Sequence, residues 1–322
     1  MRAYLPLMIF VALIAAVPLL TPSGTFMHAL ILTLYVALLG QAWNILGGFG
    51  GQFSFGHAVF FGTGAYAMAL LQMKLGINAW LALPLAAACA AMVGAIIGAL
   101  SFRYGLKGSY FALVTLAFAE VLRILANTFN FTGAGVGLQL PLAQEASQMQ
   151  FSSKSGYLYL ILGLIALAFT FAQWLQGARL GAWLTAVRDN EEAAQALGVN
   201  AFAVKLIACV ISGAFMGLGG AFYVQYLQYI DPGIAYGPQV SVEALLAAIV
   251  GGMGTVWGPL LGAILLHVLG EATRGLFENA QGLSLVVYGV LLVVMVTFAP
   301  KGIVGLWQQV YARVGGGPGQ ST

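Results

Sequence analysis

A chain of 322 residues that is 61% hydrophobic and only 7% charged is not a soluble globular protein. Soluble domains carry about a quarter charged residues, and a folded core needs a polar shell that this sequence cannot supply. The net charge of +3 comes from basic residues that are scattered rather than clustered on one face, so it gives no sign of nucleic-acid binding, and Cys89 and Cys209 have neither metal nor redox spacing. The composition leaves an all-α, polytopic transmembrane helical bundle in a single domain, 1–322.

Crossing about 30 Å of hydrocarbon takes roughly 20 apolar residues. Apolar runs punctuated by Gly, Pro and charge predict spans at 4–21, 26–46, 53–73, 79–101, 109–128, 156–176, 203–228, 239–251, 257–271 and 283–299. The first run, after Arg2, resembles a signal peptide, but Pro18 and Pro22 surround the cleavage point, so a retained helix is expected. The runs 239–251 and 257–271 are short and read equally as two thin crossings, one broken helix or a re-entrant hairpin. The total is therefore about eight to ten spans.

Positive loops stay cytoplasmic. With the N-terminus inside, Arg2, Arg103, Lys107, Arg179, Arg188, Lys205, Lys301 and Arg313 fall inside, and Lys74, Lys154 and Arg274 fall outside. Both termini are then cytoplasmic. The long external loop, 129–155, is glycine-rich and reads either as a linker or as the lining of an outer mouth.

The internal loop, 177–202, is the most polar stretch of the chain. Asp189 with Glu192 three residues later predicts a capping box, and Glu191 and Glu192 suit a helix N-terminus. Ala193, Ala194, Ala196 and Leu197 continue a short helix that Gly198 ends. Leu180, Trp183, Leu184 and Val187 predict a second amphipathic piece ahead of it. Such a loop either lies on the lipid interface or is gripped by a cytosolic partner. The second is attractive because the chain has no Gly-x-x-x-x-Gly-Lys-Ser/Thr phosphate loop, so any energy source belongs to another chain.

Gly47, Gly48, Gly50 and Gly51 end the second span, and Gln52, Ser54, Gly56 and His57 put a polar stripe at the start of the next. Such residues at membrane depth face protein or water, as in the interrupted helices of transporters; the plainer reading is a tight turn with a packing histidine. A similar block returns at Gly251, Gly252 and Gly254, a hint of internal duplication. Within the fifth span, Glu120 and Arg123 are three apart on one face and read either as an ion pair or as a substrate contact. Glu243 and His267 sit near span ends. His57 and His267 are isolated from each other in the sequence, which argues against an intramembrane enzyme.

The stretch Gly50-Gly51-Gln52-Phe53-Ser54-Phe55-Gly56-His57-Ala58-Val59-Phe60-Phe61-Gly62-Thr63-Gly64-Ala65-Tyr66 resembles the signature of the branched-chain amino acid ABC transporter permeases, and within them the larger, M-type subunit. Gly108 to Glu120, the Ala-Val-Arg-Asp-Asn-Glu-Glu-Ala-Ala of 186–194, Gly251 to Pro259 and Pro300-Lys301-Gly302 extend the likeness in family order across about 40–305. Gly47-Gly48-Phe49 departs from the family's bulkier or polar residues there.

The resemblance implies a type II ABC importer permease in a bacterial inner membrane. Its partners would be a second permease subunit, two cytosolic ATPase subunits carrying the ATP and magnesium, and a periplasmic substrate-binding protein. Arg188, Asp189, Asn190, Glu191, Glu192, Ala193, Ala194, Leu197 and Gly198 would couple to the ATPase. The glycines at 47, 48, 50, 51, 251, 252 and 254 would be hinges. Gln52, Ser54, His57, Tyr66, Tyr110, Thr115 and Glu120 would line the substrate pathway, with Glu120 holding a substrate ammonium and a helix N-terminus at a glycine break its carboxylate. The expected cargo is a branched-chain or related hydrophobic amino acid; the alternative is urea, a short amide or another small organic solute.

Overall fold

The structure, a computed structural model, describes residues 4–20, 23–143 and 145–276 and scattered positions between 286 and 305. The expected span 283–299 lies almost wholly outside the described residues. The helices are α1 (Leu5–Leu20), α2 (Gly24–Asn44), α3 (Ala58–Leu75), α4 (Ala79–Arg103), α5 (Gly108–Thr128), α6 (Lys154–Gly177), α7 (Arg179–Asp189), α8 (Glu191–Ala196), α9 (Ala201–Leu227), α10 (Pro232–Tyr236), α11 (Pro238–Gly251) and α12 (Gly258–Leu276). A π-turn, Ile45–Phe49, prolongs α2. Among the described residues, six segments are long and apolar enough to cross a membrane: α2 with its π-turn, α3, α4, α5, α6 and α9.

Small residues set the packing, because lipid gives helices no hydrophobic reason to associate and backbones must approach closely instead. α3, α4 and α9 meet along such a seam. Gly217 of α9 lies against Ala90 of α4 and faces Gly64 of α3, while Gly220 abuts the Phe61 carbonyl. α2 is the most enclosed helix, with Leu34, Leu38, Leu39 and Trp43 fully buried, and it packs on α6, α11 and α12. α1 lies on α6, where Phe10 stacks on Phe169 with centroids 6.5 Å apart.

The third span departs from expectation. Its helix begins at Ala58, so Gln52, Ser54 and Gly56 do not form a helical stripe but a non-helical stretch between two helices. Gly51, at φ +66°, turns the chain, and polar groups satisfy the irregular backbone that hydrocarbon would otherwise penalise. The Trp43 indole N–H donates to the Ser54 carbonyl at 2.8 Å, the Gly56 N–H donates to Ser54 Oγ at 3.2 Å, and the Gln52 amide donates to the Gly50 carbonyl at 3.1 Å.

The 239–271 region resolves into a broken crossing followed by a return helix. After α9, strand β2 (Tyr229–Ile230) pairs antiparallel with β1 (Leu138–Gln139) of the 129–155 loop, Leu138 opposite Ile230. This ties the loop to the bundle rather than leaving it a free linker. Asp231 then caps α10 by accepting from the N–H groups of Gly233 and Ile234. The chain breaks at Gly237 and continues as α11, whose Ser241 hydroxyl accepts from the Ala58 N–H at 2.8 Å. At 14 residues α11 is about 21 Å long, too short to span about 30 Å of hydrocarbon by itself. α12 runs back beside it, and the two touch backbone to backbone: a side chain on Gly251 would overlap the Gly258 carbonyl, and one on Gly262 the Ala247 carbonyl.

Candidate functional site

The two glycine blocks, far apart in sequence, meet at one end of the bundle. Asn44, wholly buried, donates its amide to the Thr255 carbonyl at 2.9 Å and accepts from the Gly254 N–H at 2.8 Å. A single side chain thus satisfies both polar edges of the irregular 252–257 segment, as a neighbouring strand would. One turn on, the Gly48 carbonyl accepts from Arg188 Nη1 at 3.0 Å. Arg188 fits because Gly51 (φ +66°) and Gly254 (φ +72°) leave a slot on either side of it. Arg188 also donates from Nε to Asp189 at 3.1 Å. The last residues of α7 are therefore bolted to both helix breaks. Beside this junction an open cleft of about 660 Å³ is lined by Phe49, Gln176, Gly181, Thr185, Arg188 and Asp189.

The loop following that bolt is two short helices, as its sequence predicts, but the cap differs. Asp189 ends α7, and Asn190 is the N-cap of α8, its Oδ1 accepting from the Ala193 N–H at 3.0 Å. Asn190 holds the extended backbone an N-cap requires, and its short side chain reaches the N3 amide. Gly198, at φ +87°, ends α8, and the Val199 N–H reaches back to the Ala194 carbonyl in the αL ending glycine favours. In the piece ahead, Leu184 and Val187 are buried while Trp183 stays exposed, so only part of the expected apolar stripe faces the core.

The two glutamates of α8 divide. Glu191 turns inward, its side chain 14% exposed, and binds Lys205 Nζ at 2.8 Å and Lys107 Nζ at 3.3 Å. Lys205 is itself 2% exposed and lies over the Phe102 ring, 5.1 Å from its centroid, where a desolvated cation is attracted to the ring face. Burial opposes ionisation of Glu191, but Lys205 and Lys107 outweigh it and hold the carboxyl below its usual range. Glu192 and Ala193 face outward, and Leu197 is 86% exposed.

The residues expected along a pathway also divide. Gln52, Ser54, His57 and Thr115 lie inside the subunit. His57 Nε2 and Ser212 Oγ are 2.9 Å apart, and Ser212 donates to the Ala42 carbonyl, so His57 ties α3 through α9 to α2. Tyr66 is buried and stacks on Tyr236 with centroids 5.8 Å apart. Only Tyr110 and Glu120 are exposed, both on α5. Glu120 pairs with Arg123 through Nε at 2.8 Å and Nη2 at 2.6 Å.

Sequence reasoning missed Asn44, Ser212 and Ser241 as structural partners, and read Lys107 and Lys205 only as orientation markers. Asn44 carried a signal, being an amide in an apolar run three residues before the Gly47-Gly48 pair. Among the described residues no cluster of His, Cys, Asp and Glu is placed to hold a metal ion.

The family model described as the branched-chain amino acid transport system / permease component matches residues 25–296. The chain belongs to this family. The permease is 31% identical over 321 residues to the high-affinity branched-chain amino acid transport system permease protein LivM of Escherichia coli (strain K12), covering 92% of this chain and 74% of that protein. It is 30% identical over 321 residues to LivM of Salmonella typhimurium, with the same coverage of both chains. It is 23% identical over 290 residues to the LivH permease of that same organism, covering 84% of this chain and 91% of that one. The permease thus resembles both kinds of subunit, and the M kind more strongly. No solved structure matches it. Family membership and the six long apolar helices make it a multi-pass membrane protein.

Proposed function

We propose that this permease is the M-type half of an ATP-driven importer in a bacterial inner membrane, carrying branched-chain amino acids inward. The single observation that carries the reading is the likeness to LivM over 92% of the chain. In this reading a second permease subunit of the LivH kind completes the transmembrane unit. Two cytosolic ATPase subunits hold ATP and magnesium, and a periplasmic binding protein delivers the substrate. Both chain termini and the 177–202 loop are cytoplasmic. The chain does no covalent chemistry of its own.

Coupling runs through Arg188 to Gly198. The outward Glu192, Ala193 and Leu197 face the ATPase, whereas the inward Glu191 anchors α8 to the bundle. A push on α8 is delivered by α7 to Gly48 through Arg188, and from there to α11 and α12 through Asn44. The glycines at 47, 48, 50, 51, 251, 252 and 254 sit where such a movement bends the chain. The expected pathway set contracts to the exposed α5 positions, with Gln52, Ser54, His57, Tyr66 and Thr115 supporting the wall from behind. The LivM likeness favours amino-acid cargo over urea or short amides.

The test is to purify the permease with its cognate partners, reconstitute the assembly in lipid vesicles and measure ATP-dependent uptake of radiolabelled leucine, isoleucine and valine. Saturable uptake that requires ATP and the binding protein is expected. Uptake without ATP, or uptake of urea but of no amino acid, refutes the reading.

A further inference from the structure

The outward face of α5 is an anomaly for a membrane helix. Leu113, Leu116, Ala117, Glu120 and Ile124 are all exposed and recur at the three-to-four spacing of one helix face. Glu120 lies about 18 Å from the Gly108 end and about 12 Å from the Thr128 end, at 1.5 Å per residue, so its carboxylate sits well inside the apolar span. Its side chain is nevertheless 50% exposed and that of Arg123 35% exposed. Ionised groups at this depth do not face hydrocarbon; they face a bundle interior or a water-filled cavity. The opposite face of α5, with Phe111, Thr115 and Ala119, is already buried in the subunit.

The pair is also only half used. Arg123 engages Glu120 through Nε and Nη2. A guanidinium carries five donors and a carboxylate about four acceptor sites, which leaves the Nη1 edge and the outer lone pairs open among the described residues. A neutral pair with one open cationic edge and one open anionic edge is complementary to a zwitterion.

We propose that Glu120 and Arg123 form a substrate subsite on the translocation pathway, Glu120 accepting from the ammonium and Arg123 donating to the carboxylate of an α-amino acid. The aliphatic side chain lies along Leu116 and Leu113, one and two turns away from Glu120. The subsite selects by charge class: a zwitterion meets both open edges, whereas a lone amine or a lone carboxylate leaves one unmatched. The proposal rests on the amino-acid import reading and adds the recognising groups.

The experiment uses the complete importer in vesicles, with radiolabelled leucine as the probe. E120Q and R123Q are each expected to lower uptake by about tenfold or more, the scale of one lost charge-assisted hydrogen bond. ATP hydrolysis stimulated by the binding protein is expected to stay within about twofold of wild type, on the same scale of comparison. A purely structural pair would instead depress hydrolysis and uptake together. The double variant E120Q/R123Q guards against misfolding of a singly charged variant, and uptake close to wild type in it overturns the proposal. In an otherwise wild-type importer, A117C is expected to react with a water-soluble methanethiosulfonate and to be shielded by leucine. Reaction only with a membrane-permeant maleimide places the face against lipid and also overturns the proposal. A wild-type importer that takes up no amino acid sinks the import reading itself; normal leucine uptake with an unimpaired double variant sinks only the subsite.

Discussion

Replacing Glu191 by Gln tests whether α8 is anchored to the bundle by charge. In the intact chain Glu191 and Lys205 are 2.8 Å apart, with side-chain exposures of 14% and 2%. At an effective dielectric near 20 their gross attraction is about 6 kcal/mol, most of which offsets desolvation. Removing one partner of a buried pair costs about 3–5 kcal/mol, because the other charge is stranded. The glutamine oxygen still accepts from Lys205, which places the expected loss at the lower end, about 3 kcal/mol. Lys107, with a half-exposed side chain, contributes at most about 1 kcal/mol. Thermal unfolding of the purified permease, followed by loss of the monodisperse species, measures the effect. Glu191→Leu combined with Lys205→Met removes both charges and is expected to recover most of the loss. A loss below about 0.5 kcal/mol for Glu191→Gln, the ordinary range for a surface substitution, would refute the anchoring argument, as would a double variant no more stable than the single.

The same pair gives a pH signature. The folded-state pKa of Glu191 is depressed below its usual value of 4.5, so its stabilisation is complete above that value and is lost as pH falls through the folded value; acid titration of wild type should show this component and Glu191→Gln should lack it. Asn44→Ala strands the Gly254 N–H and the Thr255 carbonyl. The cost is about 1–3 kcal/mol for two partly buried groups, read by thermal unfolding, and unchanged stability would show that the clamp is dispensable. Gly251→Ala forces a methyl into the Gly258 carbonyl, costing about 1–3 kcal/mol or more, with the same readout. Leu197→Glu, at an 86% exposed position, should leave permease stability within about 0.5 kcal/mol while weakening co-purification of the ATPase; undiminished co-purification removes Leu197 from the contact.

Much of the fold is written in the sequence because hydrocarbon is an unforgiving solvent. A chain with 7% charged residues must satisfy its backbone internally, and helices are the economical way to do so. The long helices consequently appear within a few residues of their apolar runs. The polar loop was legible for the same reason: Glu191, the alanines and Gly198 are local signals of a short helix, and capping is settled within four residues of chain. Even there the choice of Asn190 over Asp189 as cap depended on where α7 stopped.

What the sequence alone did not determine lies where two distant segments complete each other. Nothing local says that Gln52 to His57 is non-helical. That stretch exists because Trp43, Ser54 and Gly56 satisfy its backbone and because Ser241, from the broken crossing, receives the Ala58 N–H. The sequence shows two glycine blocks, but only the tertiary structure brings Gly48 to Gly254 and places Asn44 and Arg188 between them. Likewise the spacing of Glu120 and Arg123 fixed that they could pair, whereas the packing of α5 decided that the pair faces outward at membrane depth. Periodicity and capping are properties of neighbours along the chain; burial, and the partner that makes it tolerable, are properties of neighbours in space.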